Sequence, residues 1–221
     1  MDAVPGRSSS PWVALVVTPE QQAAAGRLLH DFNTEYDDPT PGAAALAARV
    51  AELVDAGSTD VLLAGTIGTT VTADTADTAD TADTADTADT ADTADTADTA
   101  DTADTADTAG AHHGDAPAVA VAVLRYRPSL WSTAEECYLA ELYVAPDRRG
   151  AGLGRALLRA ALDRARERGC DYVDLATSED DVAARHLYEA EGFRRTEGAG
   201  GPLTFHYELD LGPGASDPAS C

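Results

Sequence analysis

Apolar positions along the chain switch between a two-residue and a roughly four-residue period, and the switches mark out its elements. Trp12 to Val17 is a short apolar run of strand type, closed by Thr18-Pro19-Glu20-Gln21. Thr at the N-cap, Pro at the first helical position and Gln three residues after the cap form a helix start, because each satisfies or spares an orphan backbone N–H. A helix to about Phe32 is expected, then a polar loop carrying Glu35, Asp37 and Asp38. Thr40-Pro41 is expected to open a second helix. Its Leu46, Val50, Leu53 and Val54 share one face, and Gly57 suits its C-terminal cap. Val61 to Ala64 has the composition of a buried strand.

Further along, Ala118 to Arg127 and Tyr138 to Val144 read as two strands, joined by a loop with Pro128 and Trp131. Leu157, Leu158, Ala161, Leu162 and Ala165 then form one side of a helix that Gly169 stops. Tyr172 to Ala176 is a strand and Ser178 to about Glu191 a helix, with Ser178 to Asp181 as its capping box. Phe193 to Thr196 and Leu203 to Asp210 are the last expected strands. The order is β-α-α-β-β-β-α-β-α-β-β, an α/β fold with a mixed sheet.

Between the second and third strands lies an unbroken Thr-Ala-Asp repeat from Thr72 to Ala109. It offers no large apolar side chain and a charge at every third residue, so it cannot bury enough surface to order itself. Disorder is expected over 72–110. Lengthening a hairpin turn from about four to about forty residues costs only about 2 kcal/mol of closure entropy, so the fold can carry it. The repeat reads either as a tolerated passenger or as a weak cation brush. The predicted organisation is a flexible start (1–10), one domain formed by 11–71 and 111–211, and a flexible tail (212–221).

The densest chemical signal is Leu142 to Leu158, LYVAPDRRGAGLGRALL, where a strand passes through three glycines straight into a helix. The first turn of a helix has unpartnered N–H groups and the positive end of the macrodipole, which suits a phosphate. Gly150, Gly152 and Gly154 remove the Cβ atoms that would hold a diphosphate away from those amides. The dinucleotide-binding G-x-G-x-x-G does not fit, since Arg155 stands where its last glycine belongs, and no G-K-[ST] follows for a P-loop.

Arg149-Gly150-Ala151-Gly152-Leu153-Gly154 fits the R/Q-x-x-G-x-G/A pattern, and AELYVAPDRRG before it resembles the fourth strand and turn, of the Gcn5-related N-acetyltransferase (GNAT) family. Asp181 to Phe193, with Tyr188 shortly before Gly192-Phe193, resembles that family's second signature. The resemblance covers about residues 12–71 and 115–210. It implies transfer of an acetyl group from acetyl-CoA to a primary amine by direct attack in a ternary complex; the alternatives are a catalytically silent acetyl-CoA-binding regulator, or a transferase using another acyl-CoA or acceptor. By the same resemblance, Arg149, Gly150, Ala151, Gly152 and Gly154 would hold the diphosphate, the strand before them would carry a bulge, and the backbone of Leu142 and Val144 would hold the pantetheine arm and thioester carbonyl. Tyr188 would be the general acid that protonates the departing thiolate.

A Lys-like amine with a pKa near 10.4 is neutral in only about one molecule in two thousand at pH 7, so a base is useful. Glu141, one residue before Leu142, is the candidate base, through a water; an exposed strand carboxylate is the alternative. Asp181 stands where the family often contacts CoA, although its capping role competes. Acceptors in the family enter over the first two helices, which makes Glu35, Asp37 and Asp38 candidates for binding an amine.

Charge narrows the partners. The formal net charge is −24, half of it from the 12 Asp of the repeat, and all 15 basic residues are Arg. A chain this acidic is not expected to bind nucleic acid or an anionic membrane. Cys137, Cys170 and Cys221 form no C-x-x-C pair, and no signal segment or long apolar run stands out, so a cytoplasmic protein with reduced thiols is expected. His112-His113 with Asp115 lacks a third spaced ligand, and no metal is expected. A small-molecule or peptide amine is the expected partner, and a homodimer is left open.

Overall fold

The computed structural model of the chain describes residues 10–67 and 116–209. The Thr-Ala-Asp repeat and its expected disorder, His112, His113, Asp115, Cys221 and both terminal tails lie outside the described residues. Ten elements follow in order: β1 (Ser10–Leu15), α1 (Pro19–Glu35), α2 (Ala43–Asp55), β2 (Thr59–Ile67), β3 (Ala120–Pro128), β4 (Glu135–Val144), a 3-10 turn (Pro146–Arg148), α3 (Leu153–Glu167), β5 (Cys170–Leu175) and α4 (Val182–Ala190).

The strands lie in the order β1-β2-β3-β4-β5, antiparallel except for the parallel β4–β5 pair that α3 connects. Helices cover both faces, which is why β2 is buried along most of its length rather than alternating. On one face Val61, Leu63, Val121, Val123 and Tyr143 pack beneath Leu28 of α1 and Val50 of α2. On the other, Leu62, Ala122, Leu124 and Leu139 meet Leu157, Leu158, Ala161 and Ala165 of α3, with Tyr188 of α4 at the margin.

Local chemistry accounts for most boundaries. Thr18 caps α1 in a complete capping box: its hydroxyl accepts from the Gln21 N–H, and the Gln21 side chain accepts from the Thr18 N–H. Gly26 sets how closely the first two helices cross, because a Cβ there would stand 2.5 Å from the Ala43 carbonyl oxygen. Inside α3 and β2 a buried Asp60 accepts from the Tyr126 hydroxyl at 3.1 Å and from Arg164 Nε at 2.7 Å, tying the far end of the sheet to the helix.

Three expectations are corrected. The second helix starts at Ala43 rather than at Thr40-Pro41. Gly42, at φ +93°, is its N-cap, and the Thr40 hydroxyl instead accepts from the Gly42 N–H and meets His30. The fourth helix starts at Val182, so Asp181 is itself the cap, accepting from the Ala184 N–H at 2.9 Å, while Ser178 turns onto Asp180. The two last strands are reduced to one bridge, Thr196 with Leu203. Phe205, Tyr207 and Leu209 keep the strand alternation but are exposed: the turn through Gly198 to Pro202 folds the segment onto itself, and among the described residues no strand edge lies alongside the rest.

Candidate active site

The site begins with one extra residue in β4. Val123 lies opposite Glu141 but Leu124 lies opposite Leu139, so Ala140 has no partner across the ladder. Such a bulge bends its strand and ends regular pairing. Pairing of β4 with β5 stops at the same place, with Leu139 opposite Leu175. Beyond it the two parallel strands separate, and Ala140 to Val144 present one side to a notch. The Ala145 N–H donates to the Val119 carbonyl at 2.9 Å. Alternation along an antiparallel pair then aims the backbone groups of Leu142 and Val144 away from β3, into that notch.

The glycine turn closes the notch at one end. Gly150 and Gly152 have φ of +78° and +81°, a left-handed backbone that only glycine adopts readily. Gly152 is the N-cap of α3 and supplies no side chain to it, and the first turn carries no acidic residue. Its N–H groups and the positive end of the helix therefore face outward for an anion. Gly154 sits in that first turn, where an added Cβ would lie 3.5 Å from Leu187 and 3.7 Å from Val144, beside the notch.

Arg149 is turned back from the glycines. Its Nε donates to the Val144 carbonyl at 2.9 Å, its Nη2 pairs with Glu35 at 2.8 Å, and its guanidinium lies 5.8 Å from the centre of the Tyr143 ring. Burial, followed by the nearby Glu35 carboxylate, pushes the Tyr143 phenol up to about 12. Among the candidates for binding an amine, Glu35 is thus engaged by a cation, while Asp37, at φ +57°, and Asp38 are exposed on the turn after α1.

Glu141 and Tyr188 lie on opposite sides of the bulged strand, near enough for the Glu141 charge to act on the phenol. Glu141 is half-buried, and burial raises its carboxyl above the ordinary value of 4.5, toward the range in which a base is effective at neutral pH. Tyr188 is buried, with its ring edge-on to Phe193 at 5.9 Å. Burial first, then Asp181 and Glu141, push its phenol up to about 12, so it keeps its proton at neutral pH.

On the opposite side from Tyr188, Glu141 lines a cavity of about 370 Å³ under α1 and α2. Its walls include two residues not singled out from the sequence, Arg49 and Arg125. Arg125 left a signal, as the charge that breaks the apolar run of β3, but nothing local links it to Arg49. Among the described residues no group of three His, Cys, Asp or Glu side chains is arranged to hold a metal ion, and no helix is long and apolar enough to cross a membrane.

Comparisons with known proteins agree with this architecture. The family model described as "Acetyltransferase (GNAT) family" matches residues 79–193, and the chain belongs to that family. It is 43% identical over 68 residues to a mycothiol acetyltransferase of Beutenbergia cavernae, covering 29% of this chain and 23% of the relative. It is 35% identical over 79 residues to a streptothricin acetyltransferase of Streptomyces lavendulae, covering 36% and 40%. The chain therefore spans well under two thirds of the length of either. A crystal structure from Arthrobacter sp. FB24, assigned as an acetyltransferase, superposes with a TM-score of 0.60 at 29% identity over 96% of this chain and 100% of that one. The fold is shared with a ribosomal-protein-alanine N-acetyltransferase from Brucella melitensis, at TM-score 0.55 and 15% identity over 91% and 100%.

Proposed function

We propose that this chain transfers an acetyl group from acetyl-CoA to a primary amine, by direct attack within a ternary complex. The observation that carries the reading is the bulge at Ala140. It turns Glu141 toward the cavity under α1 and α2 and ends the pairing of β4 with β5, so an amine and an acyl donor can approach one point from opposite sides.

The residues present fit the donor. The uncapped N-terminus of α3 with Gly150, Ala151 and Gly152 suits its diphosphate, with Arg149 beside it. A pantetheine arm in the notch would extend the sheet beside β4, with the Leu142 N–H free to donate to an amide or to the thioester carbonyl. The Val144 carbonyl is already taken by Arg149, which leaves Leu142 the larger share.

Glu141, through a water, takes the proton that the ammonium must lose. The amine nitrogen then attacks the thioester carbon, so a C–N bond forms and the C–S bond breaks, and the nitrogen gives up its second proton to solvent. Tyr188 gives its proton to the departing sulfur and regains one from solvent. Burial keeps the Tyr188 phenol protonated at neutral pH, ready to donate, and raises the Glu141 carboxyl above its ordinary value, which strengthens it as a base. The acting unit is a single domain formed by the segments on both sides of the repeat. The relatives are named for compounds as different as mycothiol and streptothricin, so likeness alone leaves the acceptor open.

The test is initial-rate kinetics with acetyl-CoA and amine both varied, with the N-acetylated product identified by mass spectrometry. Intersecting double-reciprocal lines are expected. Parallel lines, the mark of an acetylated enzyme, would contradict direct attack.

A further inference from the structure

The cavity beside Glu141 has a charge pattern at odds with the rest of the chain. In a protein of net charge −24, its only acidic lining residue among the described residues is Glu141, while Arg49 and Arg125 stand at its walls. Arg125 is exposed and makes no ion pair among the described residues. Arg49 is held only by an exposed contact to Glu52 at 2.8 Å, one turn along α2, which a stronger partner can displace at little cost. Leu29, Leu46, Val50 and Leu53 supply an apolar part of the wall, alongside the polar Asn33 and Thr59.

The register fixes how these groups relate. Val123 pairs with Glu141, and Arg125 is two residues further along β3 on the same face, about 6.7 Å away along the strand. A molecule with its amine at Glu141 thus has its next few atoms beside a guanidinium whose planar fork matches a carboxylate. Acceptors carrying only positive charge would meet two arginines with the single carboxylate of Glu141 to offset them.

We propose that the acceptor is an amino acid with an apolar side chain. Its amine faces Glu141, its carboxylate is held by Arg125 with help from Arg49, and its side chain lies against Leu29, Leu46, Val50 and Leu53. The assignment rests on the acetyl-transfer reading above and names the acceptor class for that same site. A cavity of about 370 Å³ suits a ligand of this size.

The test compares leucine, leucinamide and 3-methylbutylamine, which share the amine and the apolar body, at equal concentrations of free base. CoA release from acetyl-CoA should be faster with leucine, with kcat/KM about ten- to a hundred-fold above that of the other two. Arg125→Gln should bring the ratio of acid to amide within about three-fold, and Arg49→Gln should lower it in part, with thermal melts checking that both variants fold. Equal or better turnover of leucinamide or 3-methylbutylamine, or an unchanged ratio in both variants, overturns the assignment while leaving acetyl transfer intact. If no amine releases CoA although acetyl-CoA binds, the transfer reading fails instead. Calorimetry on the CoA-loaded protein then decides the pocket by itself: N-acetylleucine should bind and N-acetylleucinamide should not, and equal binding of the two overturns the assignment.

Discussion

Arg149 and Glu35 form an ion pair of 2.8 Å across 114 residues of chain, joining the glycine turn to the end of the first helix. Both side chains are partly solvent-exposed, so the pair contributes at most about 1 kcal/mol to stability. Its interest is positional, because the cation expected to meet a diphosphate is held by a carboxylate expected to meet an amine. Glu35→Gln should release Arg149 and leave CoA binding as tight as in the parent or tighter, whereas Arg149→Gln should weaken it by about ten-fold. Calorimetric titration with CoA checks both. A Glu35→Gln protein with unchanged CoA affinity and a raised KM for the amine alone would return Glu35 to acceptor binding.

Tyr188 packs against Phe193, and phenylalanine at 188 keeps that contact. Tyr188→Phe should therefore melt within a few degrees of the parent and bind CoA equally well. With its phenol pushed up to about 12, the parent should show no loss of rate from tyrosine ionisation up to about pH 10. A fall in rate near neutrality that disappears in Tyr188→Phe would contradict the burial seen here.

Glu141 carries a pH signature of definite sign. Burial raises its folded pKa above 4.5, so below 4.5 it is protonated folded or unfolded and contributes no difference. As pH rises through the folded value the buried carboxylate ionises and the fold bears its desolvation cost. Glu141→Gln should thus melt higher than the parent at pH 8, with the difference vanishing near pH 4. Its rate should fall by about a hundred-fold or more, and the acidic limb of the pH–rate profile, displaced above 4.5 in the parent, should disappear.

The glycines of the turn separate by mechanism. Gly152→Ala forces a left-handed backbone on alanine and should cost about 1 to 2 kcal/mol, read from denaturant melts. Gly154→Ala meets only ordinary contacts with Leu187 and Val144 and should fold at least as stably. Its new methyl lies beside the notch, so CoA binding should weaken even though stability does not. Intact CoA affinity in Gly154→Ala would place the pantetheine arm elsewhere.

Signals carried by neighbouring residues were legible in the sequence. The Thr18-Gln21 capping box fixed the start of α1, and the glycine turn with the Tyr188 signature pointed to the family. Boundaries set by backbone conformation were not, as at Gly42, whose left-handed φ displaced the expected start from Thr40-Pro41. The bulge of β4 was expected through the family resemblance alone, since nothing in Leu139-Ala140-Glu141 announces it: the extra residue exists only relative to the partner strand. Arg149 shows the limit most clearly: its place in the motif was readable, but its hold on Glu35 depends on how α1 and β4 come together. The alternation from Leu203 to Leu209 specified a face, and pairing also requires an edge brought alongside.

The most direct test of acetyl transfer is amine-dependent release of CoA from acetyl-CoA by the parent and by Tyr188→Phe under identical conditions. Release that requires an amine, and that falls by about a hundred-fold in the variant with CoA affinity unchanged, is the predicted result. Equal rates in the two proteins, or no release with any amine despite acetyl-CoA binding, would contradict the account.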